Sequence, residues 1–137
     1  MAKVSGLGAK ISVDTSTPTL TDISNDITDF QFATPRAVQD VTGVDKSAME
    51  RILLLADFSV TLNGVFNAAL SHTVFEDITD DDTVRTTTIQ PTSSATPNLS
   101  VETLYTDYQL TRSNSGELTW SAPGVLADGT APTWTNS

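Results

Sequence analysis

The feature that most constrains the fold of this chain is an alternation of apolar and polar residues in the segment 57–66, which is strict over 57–63. Phe58, Val60 and Leu62 alternate there with hydroxyl, amide and carboxylate side chains. Successive side chains of a strand point to opposite faces, so this period of two predicts a strand with one buried face. Threonine, which favours strands, is the most frequent residue, with 23 copies. The sequence therefore predicts a mostly β protein.

Shorter runs with the same character are separated by turn residues along the rest of the chain. We expect strands over 9–13, 23–33, 84–90, 101–111 and 117–121. The turn spelling Ser113-Asn114-Ser115-Gly116 predicts a β-hairpin between the last two runs. A length of 137 residues favours a single domain covering 1–137.

Two segments depart from the strand pattern. Leu70, Val74 and Ile78 share one side of a helical spacing after Asn67, which predicts a short helix at about 68–78. The segment 35–56 is predicted to be a long loop. Its second part, 47–56, is predicted to be either helix or loop. A helix is possible because the sequence Ser47–Glu50 matches a capping box and precedes the apolar run RILLLA.

The residue inventory excludes most site chemistry. The absence of cysteine rules out disulfides, thiolate metal sites and a cysteine nucleophile. His72 beside Asp77 could act as a general base, but a surface histidine is the more ordinary interpretation. Carboxylates at Asp77 and 80–82 could collect a calcium ion, yet their spacing fits no calcium loop and we read them as a solvated turn. We expect no catalytic residue, no cofactor and no metal.

The net charge restricts the partners. With 17 acidic and seven basic residues the chain carries −10 at neutral pH, and such a surface repels phosphate. No apolar run approaches the roughly 18 residues of a membrane span, and the first ten residues lack the apolar core of a secretory signal. We expect a soluble protein that contacts no membrane and binds no nucleic acid specifically.

Four segments in order resemble the small tail tube (major tail) proteins of long-tailed bacteriophages. They are the N-terminal strand, the passage ITDFQFATPRAVQDVTGVDKSAMERILLLADFSVTLNGVFN, the helix predicted after it, and the closing YQLTRSNSGELTWSAPGVLADGTAPTW. The resemblance implies a β-sandwich or barrel-like subunit with one flanking α-helix. It further implies that six subunits form a ring whose sheets join into an inner β-barrel, and that rings stack into a tube.

The same resemblance implies the function and the partners. The protein would be a structural component of the virion tail, assembled in the cytoplasm of the host bacterium. It would associate with itself, with other tail proteins at the tube ends, and with DNA that passes through during ejection without specific binding. In that family the long loop makes ring-to-ring contacts, so the candidate contact residues here are Arg36, Asp40, Asp45, Lys46 and Arg51.

The acidity is consistent with such a conduit, because a wall of negative charge keeps a polyanion from adhering. Ring closure would also pair sheet edges that are otherwise left open. Two alternatives stay open at the level of the sequence. One is a capsid decoration or cement protein. The other is a carbohydrate- or host-binding β-sandwich that uses Tyr105, Tyr108, Trp120 and Trp134 as a platform.

Overall fold

The computed structural model describes residues 3–15, 19–79 and 84–136. Within these ranges the chain is mostly β, as the sequence predicts. The strands are β1 (Lys10–Asp14), β2 (Leu20–Asp22), β3 (Ile27–Ala33), β4 (Arg36–Asp40), β5 (Arg51–Ala56), β6 (Ser59–Val65), β7 (Arg85–Gln90), β8 (Asn98–Tyr105), β9 (Gln109–Arg112), β10 (Leu118–Leu126) and β11 (Trp134–Thr135). The single helix of these ranges is α1 (Ser71–Phe75), and a 3₁₀ turn spans Ser24–Asp26.

The main sheet is antiparallel, in the order β2-β1-β7-β8-β10-β6-β3. One side of β10 pairs with β6, and the other side pairs first with β9 and then with β8. Inward-facing residues of β1, β7 and β8 share one core cluster with those of β6 and β10. The sheet is therefore folded over on itself into a sandwich, with β9, β10, β6 and β3 in one layer.

The core is built by alternation. In β6, Val60 and Leu62 are buried while Ser59 and Thr61 are exposed, as the period of two predicts. Gly64 continues the buried set because its backbone lies against the carbonyl of Asp26 and the ring of Trp120. The indole NH of Trp120 donates to the carbonyl of Val65 at 3.0 Å. A buried aromatic with a satisfied polar atom anchors this layer.

The flanking helix is present but shorter than the predicted span 68–78. The side chain of Asn67 accepts the backbone NH of Ala69 at 3.0 Å, and its carbonyl accepts the NH of His72 at 3.1 Å. These bonds hold 67–70 in a turn, so that helical geometry begins only at Ser71. Val74 and Phe75 are fully buried and close the core, with the ring of Phe75 5.3 Å from that of Trp120. No helix in the described ranges is long and apolar enough to cross a membrane.

Several predicted strands differ in extent. The run 23–33 begins with the 3₁₀ turn and becomes a strand only at Ile27, with a register shift between Ile27 and Asp29. The run 101–111 is divided into β8 and β9. The predicted hairpin forms between β9 and β10, and Gly116 supplies the positive φ (94°) that its turn requires.

The segment 35–56 corrects the expectation of a long loop or a helix. β4 and β5 pair as a separate two-stranded antiparallel sheet. The hydroxyl of Thr42 accepts the backbone NH of Glu50 at 2.8 Å, and the NH of Val41 donates to the Glu50 carbonyl at 2.9 Å. These cross-strand bonds engage the backbone of Glu50, the last residue of the predicted capping box, so the apolar run 52–55 continues as a strand.

Candidate assembly surfaces

The β4–β5 hairpin stands apart from the main sheet. At its base the backbone NH of Asp57 donates to the carbonyl of Pro35 at 2.9 Å. Along its strands, large apolar side chains face solvent, and Leu55 is 90% exposed. The exposed set is Val38, Val41, Val44, Met49, Ile52, Leu53, Leu54 and Leu55. Because a two-stranded hairpin is marginal alone and this one exposes large apolar side chains on both of its faces, the hairpin has the character of an interface element.

All five predicted contact residues lie on this hairpin. Arg36 is at the base, where its Nε donates to the carbonyl of Leu54 at 3.0 Å. Asp40 and Arg51 face each other in register near the far end, and Asp45 and Lys46 lie at the tip. Hydrogen bonds from the hydroxyl and the backbone NH of Thr42 hold the pKa of Asp40 below its ordinary value. The structure thus distributes the five residues along one hairpin, from its base to its tip.

The charge of the hairpin differs from that of the chain. Residues 35–56 contain three basic and three acidic residues, so the other four basic and 14 acidic residues account for the whole net charge of −10. A neutral hairpin can approach an acidic surface without the repulsion that other parts of the chain would meet. The resemblance selected its charges and not its exposed apolar side chains, although the uninterrupted apolar run 52–56 was a visible signal in the sequence.

The second surface consists of two sheet edges. Within the described ranges β3 pairs only with β6, and β9 pairs only with β10. These two strands bound the layer β9-β10-β6-β3 on opposite sides. An edge strand presents a row of unpaired backbone donors and acceptors that can pair with another chain. The layer can therefore be extended in both directions.

The side chains considered for catalysis are engaged in other contacts. Asp77 binds the guanidinium of Arg85 at 2.7 Å. Nδ1 of His72 lies 3.2 Å from the hydroxyl of Tyr108, and its Nε2 lies 3.4 Å from Glu76. Burial raises the pKa of Tyr108, helped by the negative charges of Asp26 and Glu76. In the described ranges no three His, Asp or Glu side chains are grouped to hold a metal ion. Residues 80–82 of the acidic run lie outside those ranges.

The aromatic residues considered for sugar binding do not form one surface. Trp120 and Tyr105 are buried in the core, where the hydroxyl of Tyr105 lies 2.6 Å from that of Thr87. Trp134 packs on Phe32 with ring centroids 5.9 Å apart. Trp120, Tyr105 and Trp134 therefore pack within the protein. The aromatic surface that the carbohydrate-binding hypothesis requires is not formed.

The fold is shared with particle proteins of known structure. A scan against protein-family models and a search of curated proteins found no match to this chain. Among solved structures, a chain from the tail of an empty gene transfer agent particle, refined with C6 symmetry, superposes with a TM-score of 0.79 at 19% identity, over 97% of this chain and 99% of that one. A chain from the virion of a native gene transfer agent particle gives a TM-score of 0.76 at 18% identity, over 97% and 99%. The predicted resemblance is confirmed at the level of the fold, which this chain shares with chains of the gene transfer agent tail and virion.

Proposed function

We propose that the protein is a structural tail subunit of a phage-like particle, which forms hexameric rings that stack into a tube for DNA ejection. The observation that carries the proposal is the pair of open edges, β3 and β9, on opposite sides of one layer. Head-to-tail pairing of two different edges generates a ring when the rotation closes. The sixfold symmetry named for the similar tail structure supports a ring of six.

Within a ring, the β3 edge of one subunit pairs with the β9 edge of the next. This contact extends the layer β9-β10-β6-β3 from subunit to subunit. The backbone groups of both edges gain partners, and the joined layers form a continuous inner barrel without open strands.

Between rings, the β4–β5 hairpin binds a subunit of the adjacent ring. Its exposed leucines, Leu53 and Leu55 among them, are buried in that contact, which supplies a hydrophobic driving force. The charges at Arg36, Asp40, Asp45, Lys46 and Arg51 form the polar rim. The neutrality of the hairpin permits close approach to an acidic neighbour.

The proposal includes the setting in which the subunit acts. It is made and assembled in the cytoplasm of a host bacterium and becomes part of the virion tail. Its partners are other copies of itself along the tube and other tail proteins at the tube ends. DNA passes through the tube and is not bound specifically. No catalytic step and no cofactor belong to this function.

Negative-stain electron microscopy of the purified protein, concentrated at near-physiological salt, tests the proposal. We expect hollow tubes or stacked rings with six subunits in each ring. A protein that stays monomeric or trimeric at all concentrations, also when tail-end proteins are supplied, contradicts the proposal and favours a capsid decoration protein.

A further inference from the structure

The layer β9-β10-β6-β3 has one face, called here the free face, whose side chains are exposed or half-exposed in the described chain. Its opposite face carries the core, with α1 and the second half of the sandwich packed on it. Cross-strand register places Asp29, Asn63, Ser121 and Gln109 in one row across all four strands of the free face. Neighbouring positions such as Thr61 and Thr119 are exposed on the same face.

This face is almost without charge. The four strands contain two charged residues, Asp29 and Arg112. Arg112 pairs with Leu118 in the register that alternates with the free face, so it points to the other side. Asp29 accepts the amide NH of Asn63 at 2.7 Å. The free face therefore presents hydroxyl and amide groups, a few small apolar side chains, and one carboxylate that already holds a hydrogen bond.

The ring geometry decides where this face points. When layers join edge to edge into a closed barrel, one face of the wall lies inside and the other outside. The core face carries the bulk of the subunit, for which the interior of a barrel has no room. The free face must then line the channel.

We propose that this hydroxyl- and amide-bearing face is the channel wall, and that double-stranded DNA in transit meets it through a layer of water rather than across an acidic barrier. The inference rests on the proposed tube function. It departs from the acidic wall expected from the net charge, because Asp29 is the one carboxylate within the four strands that build the face. Without Lys or Arg on the wall, phosphates release no counterions on approach and are not held.

An uncharged wall and an acidic wall differ in their response to salt. Repulsion from wall carboxylates would extend over about 10 Å at 0.1 M salt and shrink as salt rises. Hydrated hydroxyl and amide groups have no such dependence. Two separate experiments can therefore test which face lines the channel and whether that face is charged.

Cysteine labelling tests the location, since the chain contains no native cysteine. Thr61→Cys places a thiol on the free face, and Ser100→Cys places a matched thiol at an exposed position of β8. Each variant is assembled into tubes and treated with a small maleimide, or with a maleimide on a polymer too large to enter the channel. We expect Thr61→Cys to react only with the small reagent in tubes and with both reagents before assembly, and Ser100→Cys to react with both throughout.

The chemistry of the wall is tested in the same tubes. Thr61→Cys is modified after assembly with a small cationic thiol reagent or with a neutral reagent of equal size. Short double-stranded DNA is added at low salt, and the DNA protected from nuclease is measured. We expect protected DNA only in the cationic tubes, with retention that disappears as salt is raised.

Each outcome has a distinct meaning. Tubes in which Thr61→Cys reacts with the large reagent, or with neither reagent, overturn the channel wall while the proposed tube function stands. Protected DNA in unmodified tubes that changes with salt overturns the uncharged wall, because a gain with rising salt indicates wall carboxylates and a loss indicates wall cations. Failure of every variant and of the wild type to form tubes overturns the proposed function and the inference with it. Thr119→Cys repeats the test if Thr61→Cys does not assemble.

Discussion

Nη2 of Arg85 donates to Oδ1 of Asp77 at 2.7 Å, with the arginine side chain only 2% exposed. Nη1 of the same guanidinium donates to the carbonyl of Val74. Arg85 opens β7, Val74 lies in α1 and Asp77 lies in the turn that follows α1, so one buried cation ties this segment to the sheet. A buried charge of this kind is tolerated only when its donors are satisfied.

Replacing Asp77 with alanine is therefore expected to lower the free energy of unfolding by about 2 kcal/mol, because the guanidinium stays buried without its anion. Urea unfolding followed by circular dichroism measures the loss. Glu76→Ala is the matched control, since Glu76 is exposed next in the chain and its removal should change stability by less than about 0.5 kcal/mol. Equal effects of the two variants would contradict a structural role for the pair.

Gly64 is expected to tolerate no side chain. A Cβ added there would lie 2.8 Å from the ring of Trp120 and closer still to the carbonyl of Asp26. Gly64→Ala should cost about 2–3 kcal/mol through overpacking. Gly6→Ala, whose added carbon would lie 3.7 Å from its nearest neighbour, should have little effect in the same unfolding experiment. A Gly64→Ala variant as stable as wild type would show that β6 can shift away from Trp120.

Alkaline pH is expected to destabilise the fold through Tyr105. Burial raises the pKa of this tyrosine to about 12, although hydrogen bonds with Thr87 and Thr103 oppose the shift. Its stabilising contribution is complete below the unfolded pKa of about 10 and falls as pH rises from 10 to about 12. Tyr105→Phe should lose this pH dependence while keeping other alkaline effects. If the variant and the wild type have equal slopes of stability over this range, the assignment fails.

The charges of the hairpin are expected to matter for assembly and not for folding. The triple variant Arg36→Glu, Lys46→Glu and Arg51→Glu turns a neutral hairpin acidic, so it should repel an acidic neighbouring subunit. We expect a folded subunit that fails to form long tubes in electron microscopy. The charge-conserving triple Arg36→Lys, Lys46→Arg and Arg51→Lys serves as control. Normal tubes from the acidic triple would remove these residues from the ring-to-ring contact.

The exposed leucines of the hairpin are expected to contribute the larger share of the contact. Leu53→Ser with Leu55→Ser removes apolar area that is exposed in the subunit, so the free energy of unfolding should change by less than about 0.5 kcal/mol. Tube length and critical concentration should change strongly, because that area is buried on stacking. Leu20→Ser, on the exposed side of β2, is the control. Tubes of normal length from the double variant would place the contact elsewhere.

Local pattern predicted much of the fold. The alternation over 57–66 gave β6 with its correct buried face, and the helical spacing identified Val74 as a core residue. The first residue of the helix was predicted too early, because the side chain of Asn67 holds a turn where the first helical residues were expected. The hairpin was missed because its decisive bonds join Thr42 to Glu50 across eight residues. The capping box at 47–50 favours a helix only locally, and the pairing of β4 with β5 outweighs it.

The candidate surfaces were less accessible to sequence reasoning. The five hairpin charges were identified through family resemblance, whereas the apolar run 52–55 was predicted to be helix or loop and not an exposed strand. Which strands are edges depends on long-range pairs such as Thr119 with Val65, and no local signal reports them. Net charge is a sum over the whole chain, so it could not show that the face with Thr61 and Asn63 is nearly uncharged.

The narrow base of the hairpin has a mechanical consequence. Each hairpin joins its subunit through two chain crossings, at 34–35 and 57, braced by the bond between Asp57 and Pro35. Two chain segments can transmit tension from ring to ring, but they offer little resistance when the hairpin tilts relative to its own subunit. In a tube built as proposed, curvature would be absorbed at these joints while the barrel walls keep their pairing. The tail would then bend at the contacts between rings while the channel stays closed along its length.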